Sequence, residues 1–507
     1  MSDNLKVKTA RGSMFTGAVI VGLRPLSLVI DVLLLRLLNP EDFGLIALAM
    51  ILFNTANLFT DFGMRQAIVQ TRDDLKKVAH YAFVMVMAGS ILVNGLVIAL
   101  AQPLAQLLGG TDALVPIITW LSLLITIDGL WVVPDGLLRR DLRFKHLALS
   151  QFVAEFGGGV LTVVMAFMGF GVWSFVVGQL GGKLLKSAFL YVYCRPWFWL
   201  RPQRWERPIV ERLVRYGAPT TGAGLLKYFA SQWDTWYVGR TLGLRQVGYY
   251  SKAFDITTRL GDMLANALFG QVLFPSYARL QNEPERLRRA YLKSTSLVFM
   301  FIVPMALGLL VTAPILVPVL LGAKWAPMIP AWQIFCLYGM TRPISTNASP
   351  LFLAVGKPRN NMTAALLLIA VMVPGVLVLS ARYGIVGAAI GVWAAHVVAM
   401  LFNVYQVEQI LPKTALKTLT NALPFLFAGG VMSLAVILLQ EPIIRLSGGE
   451  NVTAVSALIA IGALVYLALI LLLQRPLVVE LYELFIKALG LDRRWPRLAP
   501  RRPRPTE

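Results

Sequence analysis

The chain has 507 residues, 57% of them hydrophobic, a formal net charge of +21 and two cysteines. Its mean hydropathy of +0.67 excludes a soluble globular protein, and two cysteines exclude a disulfide framework. The basic charge in a soluble chain would point to nucleic acid, but topology accounts for it here, as shown below.

Apolar stretches of membrane-spanning length recur along the chain, separated by short polar breaks. About fourteen are expected, near 14–37, 43–67, 79–101, 114–138, 147–168, 171–193, 215–238, 247–274, 295–320, 328–354, 361–380, 384–406, 420–440 and 452–474. The polar N-terminus and the long, charged first span do not fit a cleavable signal peptide, and none of the stretches has the strict alternation of a transmembrane β-barrel strand. The expected class is therefore an all-α polytopic membrane protein. A short segment at 477–490 fits an interfacial helix, followed by an Arg/Pro-rich tail expected to be disordered.

With the N-terminus placed in the cytoplasm, of the 47 Lys and Arg residues only Arg245, Lys324, Arg382 and Arg445 fall on the opposite side. Ten lie within spans and the rest are cytoplasmic. This asymmetry follows the positive-inside rule and predicts that both termini are cytoplasmic. The positive charge then records topology and attraction to anionic lipid, with no nucleic-acid partner.

Two charge pairs stand out inside the spans. Arg24…Asp31 and Lys227…Asp234 are each a cation followed seven residues later by an aspartate, which is two helical turns. A charge at mid-bilayer costs roughly 2.5–3.5 kcal/mol on insertion scales, so such residues face a bundle interior or a wet cavity. The two pairs lie 203 positions apart, and a weak duplication accompanies them. Arg36 corresponds to Arg240, the stretch from Leu38 to Gly44 resembles that from Leu242 to Gly248, and Phe170-Gly171 resembles Tyr383-Gly384. Six spans per half make this a parallel repeat. The expected organisation is an N-lobe at 1–205 with spans 1–6, a C-lobe at 206–410 with spans 7–12, and 411–507 with spans 13–14 and the basic cytoplasmic tail.

Arg24, Lys227, Arg259 and Arg342 are the candidates for lining a cavity. Cations there suit an anionic ligand, above all a diphosphate or an acidic sugar, because Arg offers a planar fork and Lys a compact point charge. Asp31, Asp234, Asp128 and Asp262 either hold those cations in place or bind a coupling H+ or Na+. Asp61/Arg65 and Lys252/Asp255 read as ion pairs, and Lys183, Lys186, Arg36 and Arg240 as interfacial anchors. No metal site and no cofactor are expected. Asp42-Phe43-Gly44 and Asp61-Phe62-Gly63 mimic a kinase triplet without its companion loops, and Gly181-Gly182-Lys183 lacks the spacing of a P-loop.

The run from Leu35 to Ala47 (LRLLNPEDFGLIA), continued by 61–70 (DFGMRQAIVQ), resembles the Wzx-type polysaccharide flippases. It is most similar to the exopolysaccharide, colanic-acid-like branch of that family. Tyr249-Tyr250-Ser251-Lys252-Ala253 and the 352–358 loop (FLAVGKP) carry the resemblance further along the chain. It implies a member of the MOP superfamily, with two six-helix lobes in a V around a central cavity, working by alternating access. The implied substrate is an undecaprenyl-diphosphate-linked oligosaccharide, moved from the cytoplasmic to the periplasmic leaflet of the bacterial inner membrane for O-antigen or exopolysaccharide synthesis. It also implies a lateral groove for the lipid tail at the last two helices, with polysaccharide polymerase and export machinery as partners. Two alternatives stay open: a MOP-type multidrug or ion antiporter, and, in a different class, a membrane polysaccharide polymerase or glycosyltransferase.

Overall fold

The computed structural model describes residues 27–488 except Arg72, Gly110, Arg195, Trp205 and 270–272; of 216–220, 223, 226–227, 260–269, 343 and 482–488 it describes the backbone alone. Among the described residues the only regular secondary structure is helical. In chain order these are α1 (27–37), α2 (Pro40–Asp61), α3 (Met64–Gln70), α4 (Leu75–Ala99), α5 (Ala101–Leu108), α6 (Leu114–Arg140), α7 (Phe144–Phe167), α8 (Val172–Tyr193) and α9 (Trp197–Leu200). They continue with α10 (Arg207–Leu242), α11 (Leu244–Phe269), α12 (Leu273–Leu280), α13 (Pro284–Leu321), a 3₁₀ turn (Ala323–Met328), α14 (Ile329–Ala354), α15 (Arg359–Ile410), α16 (Ala415–Leu446), α17 (Val452–Leu473) and α18 (Arg475–Ala488). Every expected span from 43–67 onward overlaps one of these helices. Among the described residues, eight segments, including Leu114–Arg140, Pro284–Leu321 and Val452–Leu473, are long and apolar enough to cross a membrane. The α18 helix lies where the interfacial segment is expected.

Local chemistry explains the helix ends. Pro40 opens α2, where its missing N–H is not needed, and the Asp42 carboxylate accepts the Asn39 backbone N–H at 2.9 Å. The Glu408 carboxylate accepts the N–H groups of Lys413, Thr414 and Ala415 at 2.6, 2.8 and 2.7 Å. One carboxylate thus satisfies the orphan donors that begin α16 and ties them to the end of α15.

Helix α15 is two helices joined at Gly384, whose φ of 58° and ψ of −138° are not helical. Gly171, its counterpart in the repeat, precedes α8 with φ 54° and ψ −132°. That combination is essentially confined to glycine, because a Cβ would clash with the residue's own backbone. The same turn therefore recurs at matched places in the two halves of the sequence.

The chain packs as two compact units. Unit 1 comprises Met1–Ile256, Leu320–Ala331 and Met372–Val392, and unit 2 comprises Thr257–Val319, Trp332–Val371 and Trp393–Glu507. Unit 1 has a core around Tyr81, Trp131 and Trp199, joining α3, α4, α6 and α9. Unit 2 holds one core around Phe425 and Tyr466 and a second around Tyr277, Tyr291 and Phe352. In the second, the Asn347 side chain accepts from Tyr277 at 2.7 Å and donates to Ser294 at 2.9 Å.

A Cβ at Gly384 or at Gly430 meets nothing within 4 Å, so steric space does not distinguish the two sites. Only the backbone does. Gly384→Ala should lower the thermal unfolding midpoint of the detergent-purified protein through about 1–3 kcal/mol of strain, while Gly430→Ala, inside α16, should leave it unchanged or raise it. Equal shifts for the two variants would contradict the assignment of Gly384 as a glycine-only hinge.

Candidate functional site

Helix α6 sets Asp128, Trp131 and Asp135 at i, i+3 and i+7, on one face. All three are buried in unit 1. Around this face an ionic cluster assembles from α2, α3, α7 and α8. The Asp128 carboxylate is its hub: it accepts from Lys183 Nζ at 3.0 Å, Asn57 Nδ2 at 3.2 Å and Trp131 Nε1 at 2.8 Å. Asp135, two turns beyond Asp128, accepts from Arg139 Nε at 2.5 Å and lies 3.5 Å from Arg65 Nε.

The Trp131 indole gathers three cations. Lys186 Nζ sits 3.4 Å from its ring centroid, the Arg65 guanidinium carbon 4.7 Å and Lys183 Nζ 5.5 Å. A desolvated cation–π contact of this kind contributes about 2 kcal/mol, enough to offset part of the cost of burying an ammonium group. Lys186 is only 8% exposed, and its one hydrogen bond, 3.3 Å long, goes to the neutral Gln151 Oε1. No carboxylate lies within 4.0 Å of it among the described residues. Among the described residues, Asp61 Oδ1 and Arg65 Nε are also buried without a hydrogen-bond partner, because their approaches of 3.6 and 3.5 Å are ionic but too long to be hydrogen bonds. The cluster therefore combines a saturated hub with unspent hydrogen-bonding capacity around it.

The placements revise several readings of the sequence. Lys183 and Lys186, expected as interfacial anchors, instead turn inward to Asp128 and Trp131; their i, i+3 spacing facing the Asp128/Trp131/Asp135 stripe was the available signal. Asp61 and Arg65 do approach each other, but across the break at Phe62–Gly63, and Arg65 also reaches Asp135. Lys252 and Asp255 pair at 3.8 Å. Arg36 and Arg240 are exposed and donate to backbone carbonyls, of Leu320 at 2.8 Å and Gln106 at 2.6 Å.

Asp234 is buried in unit 1 and accepts from the Tyr250 hydroxyl at 2.6 Å. No cation lies within ion-pair distance of it among the described residues. Asp31 is partly buried on α1 in unit 1, while Arg259, exposed on α11, and Arg342, partly buried on α14, belong to unit 2. Arg24 lies outside the described residues, as do the side chains of Lys227 and Asp262. Among the described residues no group of His, Cys, Asp or Glu is arranged to hold a metal ion.

The family described as "Polysaccharide biosynthesis protein" matches residues 33–330, more than half of the chain. The chain belongs to that family. Among curated relatives, the succinoglycan biosynthesis transport protein ExoT of Rhizobium meliloti is 28% identical over 461 residues, covering 89% of this chain and 90% of its own. The lipopolysaccharide biosynthesis protein WzxC of Escherichia coli is 24% identical over 410 residues, covering 79% and 81%. Among solved structures, the lipid II flippase MurJ in an inward closed conformation superposes with a TM-score of 0.72 at 15% identity, over 93% of this chain and all of that one. An inward-facing MATE family multidrug resistance transporter of the MOP superfamily gives 0.61 at 18% identity, over 76% and 94%. The fold of this polysaccharide biosynthesis protein is thus the MOP-type polytopic membrane fold.

The hub is open to a direct test. Asp128→Asn strands the Lys183 ammonium and Lys183→Gln strands the Asp128 carboxylate, whereas the double variant strands neither. A double-mutant cycle on detergent stability should therefore give a coupling of about 1–3 kcal/mol between the two positions. Additive effects would mean that the 3.0 Å contact does not hold the cluster together.

Proposed function

We propose that this chain is a bacterial inner-membrane flippase. It carries undecaprenyl-diphosphate-linked oligosaccharide from the cytoplasmic to the periplasmic leaflet, by alternating access, to supply surface polysaccharide synthesis. It is a transporter and not an enzyme. The observation that carries the reading is a buried ionic cluster inside apolar helices of a MOP-type fold, in a chain related over most of its length to polysaccharide biosynthesis proteins. The relationship to ExoT, named as a transport protein of succinoglycan biosynthesis, supports it further.

In this reading Arg24, Lys227, Arg259 and Arg342 bind the diphosphate or acidic sugars, since guanidinium and ammonium groups match phosphate oxygens. Asp128 is a supporting carboxylate, because its hydrogen-bonding capacity is taken up by Lys183, Asn57 and Trp131. Asp234 is the better coupling carboxylate: a buried acid with a tyrosine donor, and with no cation within ion-pair distance among the described residues, is stable when it holds an H+ or a Na+. Asp31 and Asp262 are assigned the same supporting or coupling class. Both termini face the cytoplasm, as the distribution of Lys and Arg favours. The lipid bilayer and, downstream, a polymerase and export machinery are its partners. The cations favour this substrate over the cationic drugs of a multidrug antiporter.

The test is to replace Arg24 and Lys227 together with Gln and to measure surface polysaccharide in a strain that depends on this chain. Export should fall at least tenfold, with the variant present in the membrane at the parent level. Undiminished polymer from correctly inserted variant would remove the diphosphate assignment.

A further inference from the structure

Helix α7 carries an acid at its midpoint. Glu155 is the twelfth of the 24 residues of this helix, which is long and apolar enough to cross a membrane. The residue is exposed, and so are Phe152 and Phe156 beside it, whose rings stack with centroids 5.6 Å apart. A carboxyl at mid-span among apolar neighbours is costly and calls for a task.

One amide links Glu155 to the ionic cluster. Gln151 Nε2 donates to Glu155 Oε1 at 2.7 Å, and Gln151 Oε1 accepts from Lys186 Nζ at 3.3 Å. Lys186 lies over Trp131, whose Nε1 donates to Asp128 Oδ1. An unbroken chain of contacts thus runs from the exposed side of α7 to the Asp128 hub. The orientation of the amide follows from its partners. Turned over, it would set its NH2 against an ammonium and its oxygen against a carboxylate, so it fits an ionised Glu155 and a charged Lys186.

The charges balance only with Glu155. Arg65, Arg139, Lys183 and Lys186 bring four positive charges to the cluster, while Asp61, Asp128 and Asp135 bring three negative ones. Ionised, Glu155 supplies the fourth and the cluster is neutral; protonated, it leaves one positive charge in excess. The three aspartates each lie in an ion pair. Glu155 has no cation within ion-pair distance among the described residues, so it exchanges a proton without breaking one. The other titratable groups near α7 are Lys145 and His146 at its start and Asp31 on α1. Asp31 follows Ile30, which approaches α7 at Gly159.

We propose that Glu155 is a proton-binding site on the exposed side of α7, and that Gln151 transmits its charge state to Lys186 and the cluster. A proton on Glu155 puts an O–H where Gln151 Nε2 now donates. The amide turns its oxygen to that hydroxyl, and Lys186 loses its one hydrogen bond as the cluster gains a net positive charge. The packing of α6, α7 and α8 answers to the proton in this way. The use of that proton rests on the flippase reading, in which the site lets a pH gradient act on unit 1 at a place distinct from Asp234.

Dicyclohexylcarbodiimide, an apolar reagent that modifies protonated carboxyl groups within membranes, tests the site on the full-length chain in native membranes. Mass spectrometry of the peptide carrying Glu155 should find it modified. Lys186→Gln removes the nearby positive charge and Gln151→Leu removes the relay, and each should speed modification about tenfold. Lys186→Arg should keep the parent rate. An unmodified Glu155, or one rate in all these chains, overturns the proposal. In liposomes, leaflet transfer of a labelled undecaprenyl-diphosphate oligosaccharide should respond to an imposed pH gradient. Glu155→Gln should abolish that response and Glu155→Asp should keep it. Transfer indifferent to the gradient in the parent, or still responsive in Glu155→Gln, overturns the use assigned to the proton. Modification needs no substrate, so a parent chain that transfers nothing defeats the flippase reading and leaves the proton site to be judged by the carbodiimide alone.

Discussion

The ion pair that Lys183 makes with the buried Asp128, among apolar helices, is the constraint on which the rest of this structure depends. The Asp128 carboxylate must be compensated where no water can do it, and the protein spends four helices on the task. Helix α6 presents the acids and the indole on one face, α8 brings the two lysines, α2 brings Asn57, and α3, beyond the break at Phe62–Gly63, brings Arg65. Those helices pack where they do because any other arrangement would strand a charge. Breaking a buried pair typically costs more than forming it gains, so the cluster specifies the packing of unit 1 more than it adds to stability.

The same economy of backbone and charge governs the ends of the helices. Arg36, Arg240, Lys324 and Trp325 all satisfy carbonyls that a helix terminus leaves open. Where α2 and α11 must close without side chains, the paired Gly44 and Gly248 allow the backbones to touch. Duplication makes such a contact inexpensive in sequence terms, because one small residue in the ancestral stretch supplies both faces. Gly171 and Gly384, which share one rare backbone conformation, carry the same imprint.

Much of the fold was legible in the sequence, because bilayer thickness forces long apolar runs and the expected spans fall on helices. Boundaries were less so: α10 begins at Arg207, well before its apolar stretch, and two spans run into one another through Gly384. The sites were legible only in kind. Buried charges announced themselves as costly, yet spacing along one helix says nothing about the neighbour across the groove. Lys183 and Lys186 looked like residues that snorkel, because their partners, Asp128, Trp131 and Gln151, lie 35 to 55 positions away in the chain. Asp234 takes a hydroxyl donor, Tyr250, from the next helix, which its seven-residue spacing from Lys227 along one helix gave no sign of.

The central claim is that this cluster-bearing MOP fold moves a diphosphate-linked glycan between leaflets. The most direct measurement is leaflet transfer of a labelled undecaprenyl-diphosphate oligosaccharide in liposomes containing only the purified chain. The account predicts transfer well above empty liposomes, strongly reduced when the oligosaccharide is presented without its diphosphate. Transfer no faster than in empty liposomes, or transfer indifferent to the diphosphate, would contradict it.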